Sequence, residues 1–182
     1  MASISFDAAI TNLTESFDSL VQLVTGVSYI IGIFLIAKGI MSLSVFGRQT
    51  MSSAQRGEVS GPIVWIFVGA LLMYLPTTME TGLTTIYGDA DLAAAGDIMA
   101  YAPVTAGENW EQLSNVIIKY VKLVGLIAFV RGWIILSKMG HSGAQPGSMG
   151  KGLTHVIGGI LLINVVETVN ILATTFGVIG VT

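Results

Sequence analysis

The chain has 182 residues, of which 53% are hydrophobic and only 10% are charged, and its mean hydropathy is +0.79. A soluble domain carries about 25% charged residues, so this composition excludes an ordinary water-facing surface and indicates a membrane protein. The net charge is −3 and there is no cysteine, which excludes disulfides, thiolate chemistry and cysteine-ligated zinc. The 22 glycines favour close helix packing in lipid, where small residues let helix backbones approach each other.

The N-terminal segment is acidic and precedes the first apolar stretch. Four of its apolar residues recur at helical spacing: Phe6, Ile10, Leu13 and Phe17. This pattern fits a short interfacial helix and a frayed terminus equally well. No basic region precedes the apolar stretch, so we expect no ordinary secretory leader. Residues 19–37 are uncharged and close in length to the roughly 20 residues that cross a bilayer, which predicts a first span continuing to about Leu43.

A second span follows a polar, basic loop at residues 44–61. It covers Val59 to Met79, and we expect Pro76 to kink it or to mark its wet end. The acidic linker at residues 89–107 then divides the chain into a first unit, residues 1–88, and a second unit, residues 108–182. We expect the two units to form one compact domain.

The second unit repeats the organisation of the first. A third span, Leu113 to Leu136, is followed by a glycine-rich basic loop at residues 137–151. The fourth span consists of two uncharged pieces, residues 152–166 and 168–182, on either side of Glu167.

An internal repeat connects the two units. A cation followed by glycine occurs near the end of two apolar stretches that are offset by 93 residues, GIFLIAKGI (Gly32 to Ile40) and GLIAFVRGW (Gly125 to Trp133). The same offset aligns ESFDSL at residues 15–20 with ENWEQL at residues 108–113. Beyond the loop an offset of 89 aligns Gly69 with Gly158. The sequence therefore predicts an all-α membrane protein of four hydrophobic helices, arranged as two tandem-duplicated helical hairpins with basic loop tips.

The charges are distributed unevenly between the two ends of these hairpins. The loop tips and their approaches hold Lys38, Arg48, Arg56, Arg131, Lys138 and Lys151. The N-terminal segment and the central linker hold acids but no Lys or Arg. Because Lys and Arg near span ends favour the cytoplasmic side, we expect both tips in the cytoplasm. The termini and the linker would then face the periplasm across a bacterial inner membrane.

Two acids and two lysines lie within the predicted spans or directly at their ends. If the helices are straight, Glu80 and Lys119 both lie about 28 Å from the tips, and Glu167 and Lys122 about 24 Å, at 1.5 Å per residue. Pairing would lower the cost of isolated charge in a bilayer. We interpret these four residues as ion-pair candidates that hold helices or protomers together, with an ion or proton relay as the alternative.

The six cations at the tips and their approaches are lipid-headgroup candidates, because each cation near an anionic lipid surface contributes about 1 kcal/mol of attraction. The simpler alternative is that they determine topology only. Glycines about two turns apart predict helix-packing faces. These helix-packing candidates are Gly32, Gly39, Gly69, Gly125, Gly132 and Gly158.

Catalytic and metal-binding motifs do not stand out in the sequence. His141 and His155 have no carboxylate at ligand spacing, so neither resembles a metal ligand. No phosphate-binding loop, nucleophile elbow or carboxylate pair in a soluble cleft is evident. We therefore expect no enzymatic activity, no metal and no cofactor other than bound phospholipid.

Three segments carry a resemblance to a known family: SGPIVWIFVGALLMYLP (Ser60 to Pro76), GLIAFVRGWIIL (Gly125 to Leu136) and GKGLTHVIGGILLINVVETVNIL (Gly150 to Leu172). The sequence resembles the IcmC/DotE and TraQ family of type IVB secretion and I-type conjugation systems. The likeness covers most of residues 13–177. It implies an inner-membrane component of a machine that moves DNA or protein between cells, and it implies no catalytic residue.

Each hairpin also resembles a conjugative pilin, which has two apolar helices joined by a short basic cytoplasmic loop. Such pilins polymerise with phospholipid after leaving the membrane. This chain differs from them in its doubled length, and we expect it to have no long cleaved leader. The resemblance implies a structural subunit whose partners are further copies of itself, membrane phospholipid and other transfer-apparatus subunits, without sequence-specific nucleic-acid binding. The alternatives are an inner-membrane scaffold that does not polymerise and a small channel or transporter component.

Overall fold

Long apolar stretches without interior proline favour continuous helices, and the computed structural model of this chain is built from such helices. It describes residues 6–49, 60–89, 91, 108–140 and 147–177, and in this part of the chain there is no β-strand. The helices are α1 (Phe6–Gln49), α2 (Ser60–Met73), α3 (Leu75–Tyr87), α4 (Glu108–Leu136), α5 (Ser148–Ile163) and α6 (Val165–Thr175), with a 3-10 helix at Ser137–Gly140 after α4. Most of the acidic linker lies outside the described residues.

The first helix is longer than the sequence pattern predicts. Its 44 residues correspond to about 66 Å at 1.5 Å per residue. A separate interfacial helix is therefore not seen, because the acidic segment continues into the first span without interruption. The hydroxyl groups of Ser16 and Ser19 donate hydrogen bonds back to the carbonyl oxygens of Asn12 and Glu15, so these polar residues fit within the helix.

The second and fourth spans are bent rather than straight. The chain turns by 92° between α2 and α3, and by 91° between α5 and α6. Tyr74 (φ −101°, ψ 42°) and Asn164 (φ −112°, ψ 53°) occupy the two bends. Pro76 does not kink a continuous helix but lies in the first turn of α3, where its missing N–H needs no helical partner.

The bends shorten the straight arms of the hairpins. α2 has 14 residues and α5 has 16, which gives about 21 Å and 24 Å, less than the ~30 Å of a bilayer core. By length and composition, residues 8–45 and 112–139 could each cross a membrane, and each bent pair could form a further span. By length and composition, the described chain therefore has two to four candidate membrane spans.

Each hairpin packs mainly on itself, α1 along α2 and α4 along α5, while the two hairpins meet through α1 with α4 and through α2 with the 3-10 helix. One apolar cluster joins both hairpins and includes Leu35, Trp65, Leu72, Leu75, Leu83, Phe129, Val156 and Ile160. The outer surface is also apolar: Phe34 on α1 is 65% exposed, and Phe67 on α2 is 59% exposed. Such a surface requires lipid or another protein against it.

Candidate helix-packing and lipid-contact sites

The α1–α2 seam is formed by glycines whose backbones touch. A Cβ atom added at Gly32 would lie 2.7 Å from the carbonyl oxygen of Gly69, and one added at Gly69 would lie 2.7 Å from the carbonyl oxygen of Gly32. A Cβ at Gly39 would lie 2.9 Å from the carbonyl oxygen of Pro62. No residue with a side chain fits these positions unless the helices separate.

The α4–α5 seam is built in the same way. A Cβ at Gly125 would lie 2.9 Å from the carbonyl oxygen of Gly159, and one at Gly132 would lie 2.9 Å from that of Gly152. A Cβ at Gly159 would lie 2.6 Å from the backbone nitrogen of Phe129. Gly158, by contrast, has no atom within 4 Å of such a Cβ. The prediction that Gly158 packs between helices is therefore wrong within the protomer, and Gly159 takes that place.

This difference changes the register between the two hairpins. In contacts with their partner helices, Pro62 and Gly69 correspond to Gly152 and Gly159, an offset of 90 rather than 89. The bends at Tyr74 and Asn164 fall at the same offset. Sequence matching placed Gly69 on Gly158 because both are glycine, although neighbouring residues on a helix point in different directions.

Each bend carries a threonine that bonds across the break. The Thr78 hydroxyl lies 2.8 Å from the Leu71 carbonyl oxygen, seven residues earlier, and the Thr168 hydroxyl lies 2.8 Å from the Leu161 carbonyl oxygen, also seven residues earlier. Carbonyl groups in the last turn of a helix have no N–H partner within that helix. These hydroxyls therefore satisfy carbonyl groups that the bends leave open.

The second threonine also connects the two hairpins. The Tyr87 hydroxyl at the end of α3 lies 2.6 Å from the Thr168 hydroxyl oxygen. The single hydrogen of Thr168 is directed at the carbonyl oxygens of Leu161 and Asn164, so Tyr87 donates this bond and Thr168 accepts it. The sequence pattern does not predict this arrangement. Its only signal was a threonine four residues after each bend residue.

The cations near the tips have different surroundings. The Lys38 ammonium lies 4.1 Å from the centroid of the Trp65 ring, a cation–π contact that anchors it against α2. Arg131, Lys138 and Lys151 are exposed and remain available to a headgroup. The side chain of Arg48, and all of Arg56 and His141, lie outside what the structure describes.

The two predicted ion-pair acids do not lie at the distances from the tips that straight helices would give, because both follow a bend. Glu80 is exposed on α3, while the Lys119 ammonium lies 5.9 Å from the Phe17 ring centroid. Among the described residues no ion pair joins Glu80 to Lys119. Glu167, in the first turn of α6, and Lys122 are both half-buried, and since α6 packs on α4 their pairing stays a prediction.

Within the described chain, no group of three or more His, Cys, Asp or Glu residues could hold a metal ion. The ring Nδ1 atom of His155 lies 2.8 Å from the carbonyl oxygen of Lys151, one turn earlier on α5.

The described chain thus has glycine packing seams between helices, bends closed by threonine hydroxyls, exposed cations near the tips and an exposed acid on α3. Comparison with family models, with curated proteins and with solved structures finds no match to this chain.

Proposed function

We propose that this chain is a pilin-like structural subunit of a bacterial type IV transfer apparatus, of the type IVB or conjugative kind, that assembles with phospholipid and with further copies of itself. The observation that carries the proposal is the pair of glycine-sealed hairpins with apolar outer surfaces. A protein built for internal packing and lateral contact fits a structural role. The resemblance described above supplies the kind of apparatus.

The two hairpins, in this proposal, arose by duplication and lie parallel in the inner membrane. Three kinds of equivalent feature support the duplication: backbone contact between glycines, a bend of about 90°, and a threonine bonded seven residues back. The parallel arrangement is supported by the contact of Phe17, near the start of α1, with Tyr120, in the first half of α4, whose ring centroids are 6.2 Å apart. The cations at the tips support a cytoplasmic location for them.

Lipid contact in this assembly is expected along the exposed apolar faces, with anionic headgroups at the tips. Arg131, Lys138 and Lys151 are exposed and can hold a phosphate group. Lys38 has a competing partner in the Trp65 ring, so we assign it to the packing of α1 on α2 rather than to a headgroup.

The experiment that tests this proposal is fractionation of cells that express an epitope-tagged chain from its own promoter. The expected result is tagged protein in filaments sheared from the cell surface, together with phospholipid extractable from those filaments. Protein found only in the inner membrane, in complexes of one or a few copies, would contradict the polymer and leave the scaffold. Protein recovered in the soluble fraction would contradict the membrane assignment altogether.

A further inference from the structure

α3 has two chemically different faces. Leu75 and Leu83 are buried against the core, and a Cβ at Gly82 would touch the Ile160 side chain of α5. The opposite face is exposed and carries Glu80, Thr81, Thr84 and Thr85, which line an open cavity of about 610 Å³. This face, called the Glu80 face below, is not covered by any described part of the chain.

The Glu80 face can accept hydrogen bonds but has no side-chain donor left to offer. The three hydroxyl groups donate their hydrogens to backbone carbonyl oxygens one turn earlier: Thr81 to Thr77, Thr84 to Glu80, and Thr85 to Thr81. Only acceptor lone pairs are left to face outward, and an ionised carboxylate also accepts only. Residues 60–91 contain no Lys, Arg or His. The Glu80 face therefore fits a positively charged hydrogen-bond donor.

The position of the Glu80 face points to a lipid donor. The exposed apolar side of α2 includes Ile63 and Phe67 and leads to Tyr74, which is 67% exposed at the bend. Tyrosine is enriched where a membrane meets water, and α3 leaves α2 at 92° from that point. In the membrane arrangement proposed above, on which this inference rests, α3 runs along the headgroup layer beside lipid tails that contact α2.

We propose that the Glu80 face binds the ammonium headgroup of phosphatidylethanolamine. A primary ammonium group carries three N–H donors, which match the Glu80 carboxylate and the threonine oxygens. Phosphatidylcholine has the same net charge but no N–H donor. Phosphatidylglycerol is anionic, so the Glu80 carboxylate repels it. The two ends of the molecule thus select different headgroups, anionic at the tips and ethanolamine at α3.

The test is native mass spectrometry of the full chain in detergent with equimolar phosphatidylethanolamine, phosphatidylcholine and phosphatidylglycerol of identical acyl chains. We expect the wild type to retain phosphatidylethanolamine severalfold more than phosphatidylcholine, and Glu80→Gln to lose this difference. Glu15→Gln is the matched control, because Glu15 is an exposed acid on α1 away from the cavity. Thr84→Val, which removes one acceptor oxygen, should weaken the preference while keeping the carboxylate.

Equal retention of phosphatidylethanolamine and phosphatidylcholine by the wild type would overturn the proposal, as would a preference that survives Glu80→Gln. If oligolysine binds in a Glu80-dependent way while the two lipids do not differ, the Glu80 face serves a cationic protein instead. Extraction of membranes with sodium carbonate separates failure of the lipid site from failure of the proposed function. A chain that resists extraction but shows no preference for phosphatidylethanolamine refutes only the lipid site. Circular dichroism and gel filtration confirm that each variant is folded.

Discussion

Gly158 and Gly159 are neighbours in the sequence, yet only Gly159 lies in the seam between α4 and α5. Seven-residue spacing identified Gly32 with Gly39 and Gly125 with Gly132 as packing positions, because residues about two turns apart lie on one helix face. Gly69 was predicted to pack as well, and the internal repeat aligned it with Gly158. It could not choose within a Gly-Gly pair, since that choice depends on how α5 is rotated about its axis. Rotation is decided by tertiary packing, and one residue of error turns the helix by about 100°.

We predict that Gly159→Ala destabilises the protein and Gly158→Ala does not. The new methyl group at residue 159 would lie 2.6 Å from the Phe129 nitrogen and 2.8 Å from the Gly125 carbonyl oxygen, and backbone cannot move aside as a flexible side chain can. Overpacking of this kind costs about 1–3 kcal/mol. Thermal unfolding in detergent, followed by circular dichroism at 222 nm, measures the difference.

Gly158→Ala serves as the control, because its methyl group meets open space. Alanine is also a better helix former than glycine, which stabilises a helix by about 0.5–1 kcal/mol. Equal destabilisation by both substitutions would show that contact with lipid or another copy, rather than the seam, determines stability at this pair.

The bends in the second and fourth spans are the elements that the sequence predicted least well. Pro76 indicated an interruption in the second span, but the break lies at Tyr74, and the proline begins the next helix. The fourth span contains no proline, and Asn164 is a weak signal on its own. The bend there has features that the local sequence does not predict. Asn164 is buried, and the Thr168 hydroxyl accepts a hydrogen bond from the Tyr87 hydroxyl.

We predict that Thr168→Val loosens the bend between α5 and α6, and that Thr78→Val does the same between α2 and α3. Valine keeps the shape of threonine but removes the hydroxyl that reaches seven residues back, and an unsatisfied carbonyl costs about 1–3 kcal/mol. The chain has no cysteine, so spin labels can be placed at single introduced cysteines. Distances between labels at Ile63 and Thr85 should broaden in Thr78→Val.

For Thr168→Val the corresponding labels belong at Leu153 and Thr174. Thr78→Ser and Thr168→Ser should retain the narrow distributions because the hydroxyl remains. Thr84→Val is the control within α3: the Thr84 hydroxyl bonds only to a carbonyl four residues earlier, which its own helix already satisfies. A distribution in Thr78→Val as narrow as in the wild type would mean that packing alone holds the bend.

Composition and the length of uncharged stretches were enough to predict an all-helical chain with candidate membrane spans. They could not predict how the hairpins dock, because docking uses the 3-10 helix after α4 and the face of α1 that meets α4. Neither has a distinct sequence pattern. The exposed apolar surface also leaves open which faces meet lipid and which meet another copy, since both environments favour the same side chains.

We predict that both tips are on one side of the membrane. Ser60→Cys and Lys151→Cys, near the two tips, should react with a membrane-impermeant maleimide only after spheroplasts are lysed. Asp89→Cys and Gln112→Cys, near the opposite end, should react in intact spheroplasts. The physical reason is the concentration of Lys and Arg at the tips. Labelling of Ser60→Cys and Lys151→Cys from opposite sides would contradict the parallel arrangement.

The hydrogen bond between Tyr87 and Thr168 also implies an order of assembly. Each glycine seam joins helices close together in the sequence, so each hairpin can close as soon as its own two arms have been synthesised, as units of a chain generally fold during translation. The Tyr87–Thr168 bond spans 81 residues and has to wait for the second hairpin. Until then the first hairpin carries α3 without this partner, so the contact reports that the second hairpin has formed and docked on the first.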